Sequence, residues 1–127
     1  MKLLLDTNRL SDALAETADV LDRLETAEAI HVPVIVLGEI RSGFLRGKRR
    51  SENETRLSWF LSQPGVTTLG IDGPVSHRYA SLHQALRARG TPIPTNDLWI
   101  AALALEHGLV LYTRDAHFTD LPGLACM

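Results

Sequence analysis

Four short apolar runs are spaced along the chain, and between them apolar residues recur every three or four positions. Leu3 to Leu5 is unbroken and reads as a buried strand, whereas Asp12 to Ala29 is polar with Val20, Leu21 and Leu24 at helical intervals. "IHVPV" at 30–34 is a second strand. Val36, Leu37, Ile40 and Phe44 then form a buried helical stripe over Ile35 to Leu45, stopped by Gly47. "SENETRLSWFLSQPG" opens with a Ser51/Glu54 capping box and closes on Pro64 and Gly65, which predicts a further helix. "VTTLGI" is a third strand, and Pro74 starts a helix through Tyr79, Leu82 and Leu86 that ends at Gly90. After the turn "GTPIPT" comes "NDLWIAALALEHG", apolar on every side from Leu98 to Leu105 and so predicted to be buried. "LVLYT" is the fourth strand.

Strands alternating with helices over the full length predict an α/β fold, with a central parallel sheet flanked by helices on both faces. At 127 residues, the chain fits one domain, 1–127, with enough length for a real core. Hydrophobic residues at 45% and charged residues at 22% match a globular protein. No apolar run approaches the ~20 residues of a spanning helix, and the run after Lys2 is too short for a signal-peptide core, so the expectation is a cytoplasmic protein with no membrane partner. Cys126, the single cysteine, excludes an intrachain disulfide and a cysteine-rich zinc site.

Four carboxylates sit where solvation does not account for them. Asp6 ends the first strand, at the edge of a parallel sheet where ligands bind. Capping of the following helix is the structural alternative for Asp6, as it is for Thr7 and Asn8. Glu39 lies in an apolar helix beside Gly38, with Gly43 one turn on, which suggests either a surface kept bare around an acid or an exposed Glu beside loosely packed backbone. Asp97 opens the apolar helix, where the helix dipole also favours it, and Asp115 follows the fourth strand, where a turn would also suit it. Brought into one crevice, four carboxylates repel unless a cation is present. An oxygen-only set suits Mg2+ or Mn2+.

"LLLDTNRLS", "VLGEIRSG", "IPTNDLWIAALALEHGLVLYTRDAHF" and "LPGL", in this order over essentially the whole chain, resemble the PIN-domain ribonucleases, specifically the VapC toxins of bacterial type II toxin–antitoxin modules. The resemblance implies that Asp6, Glu39, Asp97 and Asp115 are the catalytic, metal-holding quartet, with Asp6 and Asp97 the most direct ligands. Thr7, Asn8 and Thr113 match positions that hold such a site in place by hydrogen bonds. It also implies metal-dependent endonucleolytic hydrolysis of RNA, a cognate antitoxin and a homodimer, for which Trp59 and Phe60 are candidate surplus apolar residues.

The formal net charge of −2 carries no global basic signal, but "RSGFLRGKRR" holds five of the 13 Lys and Arg and no acid. A helix C-terminus accounts for such a run; contact with RNA or a partner through Arg46, Lys48, Arg49 and Arg50 is the sharper reading. Arg9 either reaches phosphate or faces solvent, His117 is a weak substrate contact, and Asp120 receives no metal role. A phosphate-gripping lysine after a later strand, needed by phospho-aspartate enzymes, is absent, since only Lys2 and Lys48 exist. A haloacid-dehalogenase-type site would want an Asp in place of Asn8. The rival from another class is a catalytically idle PIN-fold protein that binds RNA or a partner, and an intact quartet speaks against it.

Overall fold

The computed structural model describes residues 1–127. The chain forms β1 (Lys2–Leu5), α1 (Thr7–Leu14), α2 (Ala18–Glu25), β2 (Ala29–Pro33), α3 (Val34–Arg46), α4 (Arg50–Leu61), β3 (Val66–Leu69), α5 (Gly73–Arg89), α6 (Thr95–His107) and β4 (Val110–Tyr112), followed by a single 3-10 turn, Ala116–Phe118. All strand pairs are parallel and the sheet order is β3-β2-β1-β4. Leu3 therefore lies between Ile30 and Val110, and Leu4 between His31 and Leu111. Three fully buried leucines make β1 the centre of the core. The order has a functional consequence: the chain winds outward from β1 through β2 to β3, then returns to the other side of β1. The carboxyl ends of β1 and β4 thus flank a topological switch point, where a crevice opens in parallel sheets.

The sheet is edged by the C-terminus. Leu111 donates its N–H to Ala125 O at 2.8 Å, Met127 donates to Leu111 O at 2.9 Å, and Cys126 pairs with Leu111 in a parallel bridge. α6 is buried as its sequence predicts, with Leu98 and every residue from Ile100 to Ala104 in the core. It packs along α5, where Tyr79 stacks on Trp99 with centroids 3.9 Å apart. No helix is long and apolar enough to cross a membrane.

Three expectations are corrected. The helix predicted over Asp12 to Ala29 is two helices: α1 starts directly after Asp6, and Glu16 adopts the left-handed conformation (φ 58°) that turns the chain into α2. The Ser51/Glu54 capping box does not form. α4 starts at Arg50, so Ser51 is already helical, its carbonyl accepts from Thr55 Oγ1, and Glu54 turns away to pair with Arg41 at 2.9 Å. Of the two aromatics held to be surplus, Phe60 belongs to the core, whereas Trp59 is 66% exposed.

Candidate metal-binding active site

Asp6 is the one buried charged residue, at 5% exposure, and the fold spends many donors on it. Its Oδ1 accepts from Thr7 N at 2.8 Å, which is the N-cap of α1. Its Oδ2 accepts from Thr113 Oγ1 at 2.6 Å and from Asn8 Nδ2 at 3.2 Å. Its own N–H donates to Tyr112 O at 3.1 Å, tying the end of β1 to the end of β4. Capping and site-building are therefore both true of this residue. The capping bond uses one oxygen and the cross-strand bonds use the other.

Asn8 and Thr113 extend the network. Asn8 Oδ1 accepts from Arg114 N at 3.1 Å, and its Nδ2 also approaches Thr113 Oγ1 at 3.4 Å. Thr113 Oγ1 accepts from Asp115 N at 2.9 Å, so Asp115 is placed by the hydroxyl that holds Asp6. Thr7 Oγ1 donates to Glu39 Oε1 at 3.1 Å, linking α1 to α3. Burial raises the Glu39 pKa, with the charges of Asp6 and Asp97 adding to it against the Thr7 bond. Burial likewise raises Asp97, opposed by a hydrogen bond from His117 and reinforced by Asp115 and Asp6. The four acids are thus neighbours, tied through Thr7, Thr113 and His117, although Asp6 and Glu39 lie outside the one group whose ligand atoms all come within 4.8 Å of one another.

His117 lies across the outer side. Its Nδ1 is 2.9 Å from Asp97 Oδ2 and 3.2 Å from Asp115 Oδ1, and its pKa is raised, first by the Asp97 bond and then by the Asp115 charge. Asp115 Oδ1 also accepts from His117 N at 2.9 Å and caps the 3-10 turn. Asp97, Asp115 and His117 offer ligand atoms all within 4.8 Å of one another.

A PIN-domain family model matches residues 3–124. The chain belongs to the PIN-domain family, among its VapC-type members. It is 38% identical over 93 residues to Ribonuclease VapC4 of Mycobacterium tuberculosis, covering 73% of this chain and 72% of that one. It is 31% identical over 110 residues to Ribonuclease VapC5 of the same organism, covering 87% and 82%. Among solved structures, VapBC2 of Rickettsia felis bound to a DNA fragment from its promoter superimposes with a TM-score of 0.89 at 27% identity, over 100% of this chain and 98% of that one.

The donor chemistry of this PIN domain fits a divalent cation. Burial first, and the charges of neighbouring carboxylates second, raise the proton affinity of Glu39 and Asp97, and a cation offsets both by favouring the ionised forms. The basic cluster, by contrast, is divided. Arg41 is tied to Glu54, and Arg49 reaches Glu52 at 3.9 Å. Arg46 makes no ion pair and lines a polar groove with Gly38, Glu39, Ser42 and Asn96. A Cβ built on Gly38 meets nothing within 4 Å, so the surface beside Glu39 is open. Lys48 and Arg50 are exposed beyond the end of α3 and also make no ion pair.

His117, a weak substrate contact by sequence, reaches two of the four carboxylates, and Arg114 packs beside them on Asp12. The Asp115-x-His117 spacing is the signal for the first, because a 3-10 turn capped by Asp115 brings the histidine back over it. Arg114 pairs with Asp12 at 3.1 Å, and Arg9 pairs with the same carboxylate at 3.3 Å while lying 4.5 Å over the Tyr112 ring. Arg9 is thus a packing residue and is not aimed at phosphate. Asp120 contributes only its carbonyl, to Arg89.

Proposed function

We propose that this chain is a metal-dependent endoribonuclease that hydrolyses RNA phosphodiester bonds as the toxin of a toxin–antitoxin pair, with Asp6, Glu39, Asp97 and Asp115 holding Mg2+ or Mn2+. The observation that carries the reading is the hydrogen-bond network through Thr7, Thr113 and His117 that ties Asp6, Glu39, Asp97 and Asp115 together beside the switch point between β1 and β4 in a VapC-type PIN domain. A divalent ion bound there supplies charge neutralisation at the phosphoryl group and a lowered pKa for attacking water. The residues supply the rest. Glu39 holds one oxygen on the Thr7 hydroxyl and has the other, Oε2, free to face the ion or its water. Thr7, Asn8 and Thr113 are positioning residues that keep Asp6, Glu39 and Asp115 from turning away under repulsion.

RNA enters along the groove from Glu39 to Arg46, with Arg46 on a phosphate next to the scissile one and Lys48, Arg49 and Arg50 on the backbone beyond. A second groove of about 790 Å³ runs between α1, α2 and α4 and is lined by Leu14, Leu21, Leu24, Trp59 and Phe60 among others. Its apolar floor and the exposed Trp59 suit a segment of the antitoxin, a partner that the Rickettsia felis neighbour carries as a VapBC complex. The toxin also dimerises with itself, and a monomer in sedimentation at micromolar concentration would remove that part.

The test is incubation of the purified chain with total and synthetic RNA in Mg2+, in EDTA, and as Asp97→Asn. Discrete internal cuts that vanish in EDTA and in the variant, and that added antitoxin suppresses, are expected. Metal binding without cleavage of any RNA would instead establish the idle RNA-binding or partner-binding PIN domain.

A further inference from the structure

We infer that His117 is itself a ligand of the metal site, adding a nitrogen donor that shifts the carboxylate cluster's preference from Mg2+ towards transition ions such as Mn2+. This rests on the metal-binding reading above and deepens it.

The geometry is that of a donor triangle. Nδ1 faces Asp97 Oδ2 at 2.9 Å and Asp115 Oδ1 at 3.2 Å. A ring nitrogen carries at most one hydrogen, so it cannot give each oxygen a well-aligned bond of its own. A cation among the three serves all of them. Six-coordinate ions with bonds of about 2.1 Å need neighbouring donors about 3.0 Å apart, close to the spacing of both edges here. The placement is built into the backbone, because His117 N donates to the same Asp115 Oδ1 and fixes the turn that brings the imidazole over the cluster. The chain thus presents three donors from two elements, the first turn of α6 and the 3-10 turn after β4. An oxygen-only set suits Mg2+ and Mn2+ alike, whereas an added imidazole nitrogen favours first-row transition ions over Mg2+.

Pulsed EPR of the untagged protein loaded with one equivalent of Mn2+ tests this without reference to activity. Modulation from a directly bound histidine nitrogen is expected, and it disappears in His117→Ala. Thermal-shift titrations of the same proteins add a second readout: His117→Ala weakens Mn2+ about tenfold or more, while Mg2+ changes less than about threefold. Melting in EDTA confirms that the variant is folded, and His117→Gln repeats the comparison with a longer side chain. Mn2+ bound without nitrogen modulation, or equal weakening of both ions, would overturn the inference and leave His117 as a hydrogen-bond partner that orients Asp97. Mg2+ binding without Mn2+ binding would overturn the inference alone, and failure of the wild type to bind either ion would overturn it together with the metal reading of the proposed function.

Discussion

At the residue scale, the hydroxyl of Thr113 joins two of the four carboxylate residues. It donates to Asp6 and accepts from the Asp115 N–H, while its backbone N–H donates to Met127 O. Thr113→Val keeps the shape and removes the hydroxyl, which leaves Asp6 and the Asp115 N–H each short of a partner. Urea unfolding is expected to lose about 1–3 kcal/mol. Divalent-metal affinity is expected to fall roughly 10- to 100-fold, as when a group behind a ligand is removed. Thr113→Ser should restore most of both. A valine variant with unchanged metal affinity would show that the carboxylates hold their places without it. The quartet residues were legible one by one because strand ends and helix starts are recognisable in the pattern. His117 was marked only by its spacing from Asp115, since its place depends on a turn of three residues that no helix or strand periodicity marks.

At the element scale, the break between α1 and α2 is the place where local sequence and structure disagree. No glycine or proline marks it, and Leu10, Ala13, Val20 and Leu24 keep a helical spacing across it, so the pattern reads through the turn. The turn is closed by Glu16 N to Ala13 O and Thr17 N to Asp12 O, with Glu16 at φ 58°, a conformation that costs a residue with a Cβ about 1–2 kcal/mol. Glu16→Gly is therefore expected to raise stability by about 1 kcal/mol, against a smaller loss from unfolded-chain entropy. Thermal unfolding would measure it, and a destabilised variant would mean that the Glu16 side chain is itself holding the turn. α6 is the opposite case. An apolar run of this length, opened by Asp97 and closed by Gly108 in the left-handed conformation (φ 63°), could be placed from sequence almost to the residue.

At the scale of the whole molecule, gathering acids at one sheet edge makes metal-free stability depend on pH. Glu39 and Asp97 have raised pKa values in the fold, chiefly through burial, so their contribution is present below the ordinary carboxyl range and is lost as pH rises through the folded values. His117 runs the same way. The stability it gains from Asp97 and Asp115 is full below 6.5 and is lost as pH climbs through its raised value. His31, lowered by burial, opposes this, so the difference between proteins is the measure. In EDTA, the melting temperature of wild type minus that of His117→Ala should shrink between pH 6 and pH 9. A difference that stays constant would mean that the imidazole gains nothing from its carboxylates. Adding Mg2+ should raise the wild-type melting temperature, and most where the carboxylates are ionised.

The sequence by itself determined the alternation of strands and helices apart from the break between α1 and α2, that the sheet is parallel, and which four acids stand apart from the solvated ones. Those features depend on short-range periodicity and on residue chemistry, and both are readable along a chain. Tertiary structure alone decided that β4 returns beside β1, that the last three residues edge the sheet, and that Arg46, with no ion pair, lines the groove beside Glu39 while Arg41 is held by Glu54. It also decided that His117 reaches two carboxylates, one of them 20 residues away in sequence. Most of these pairings join different elements of the fold. They are selected by how the helices pack on the sheet, and no local pattern encodes them.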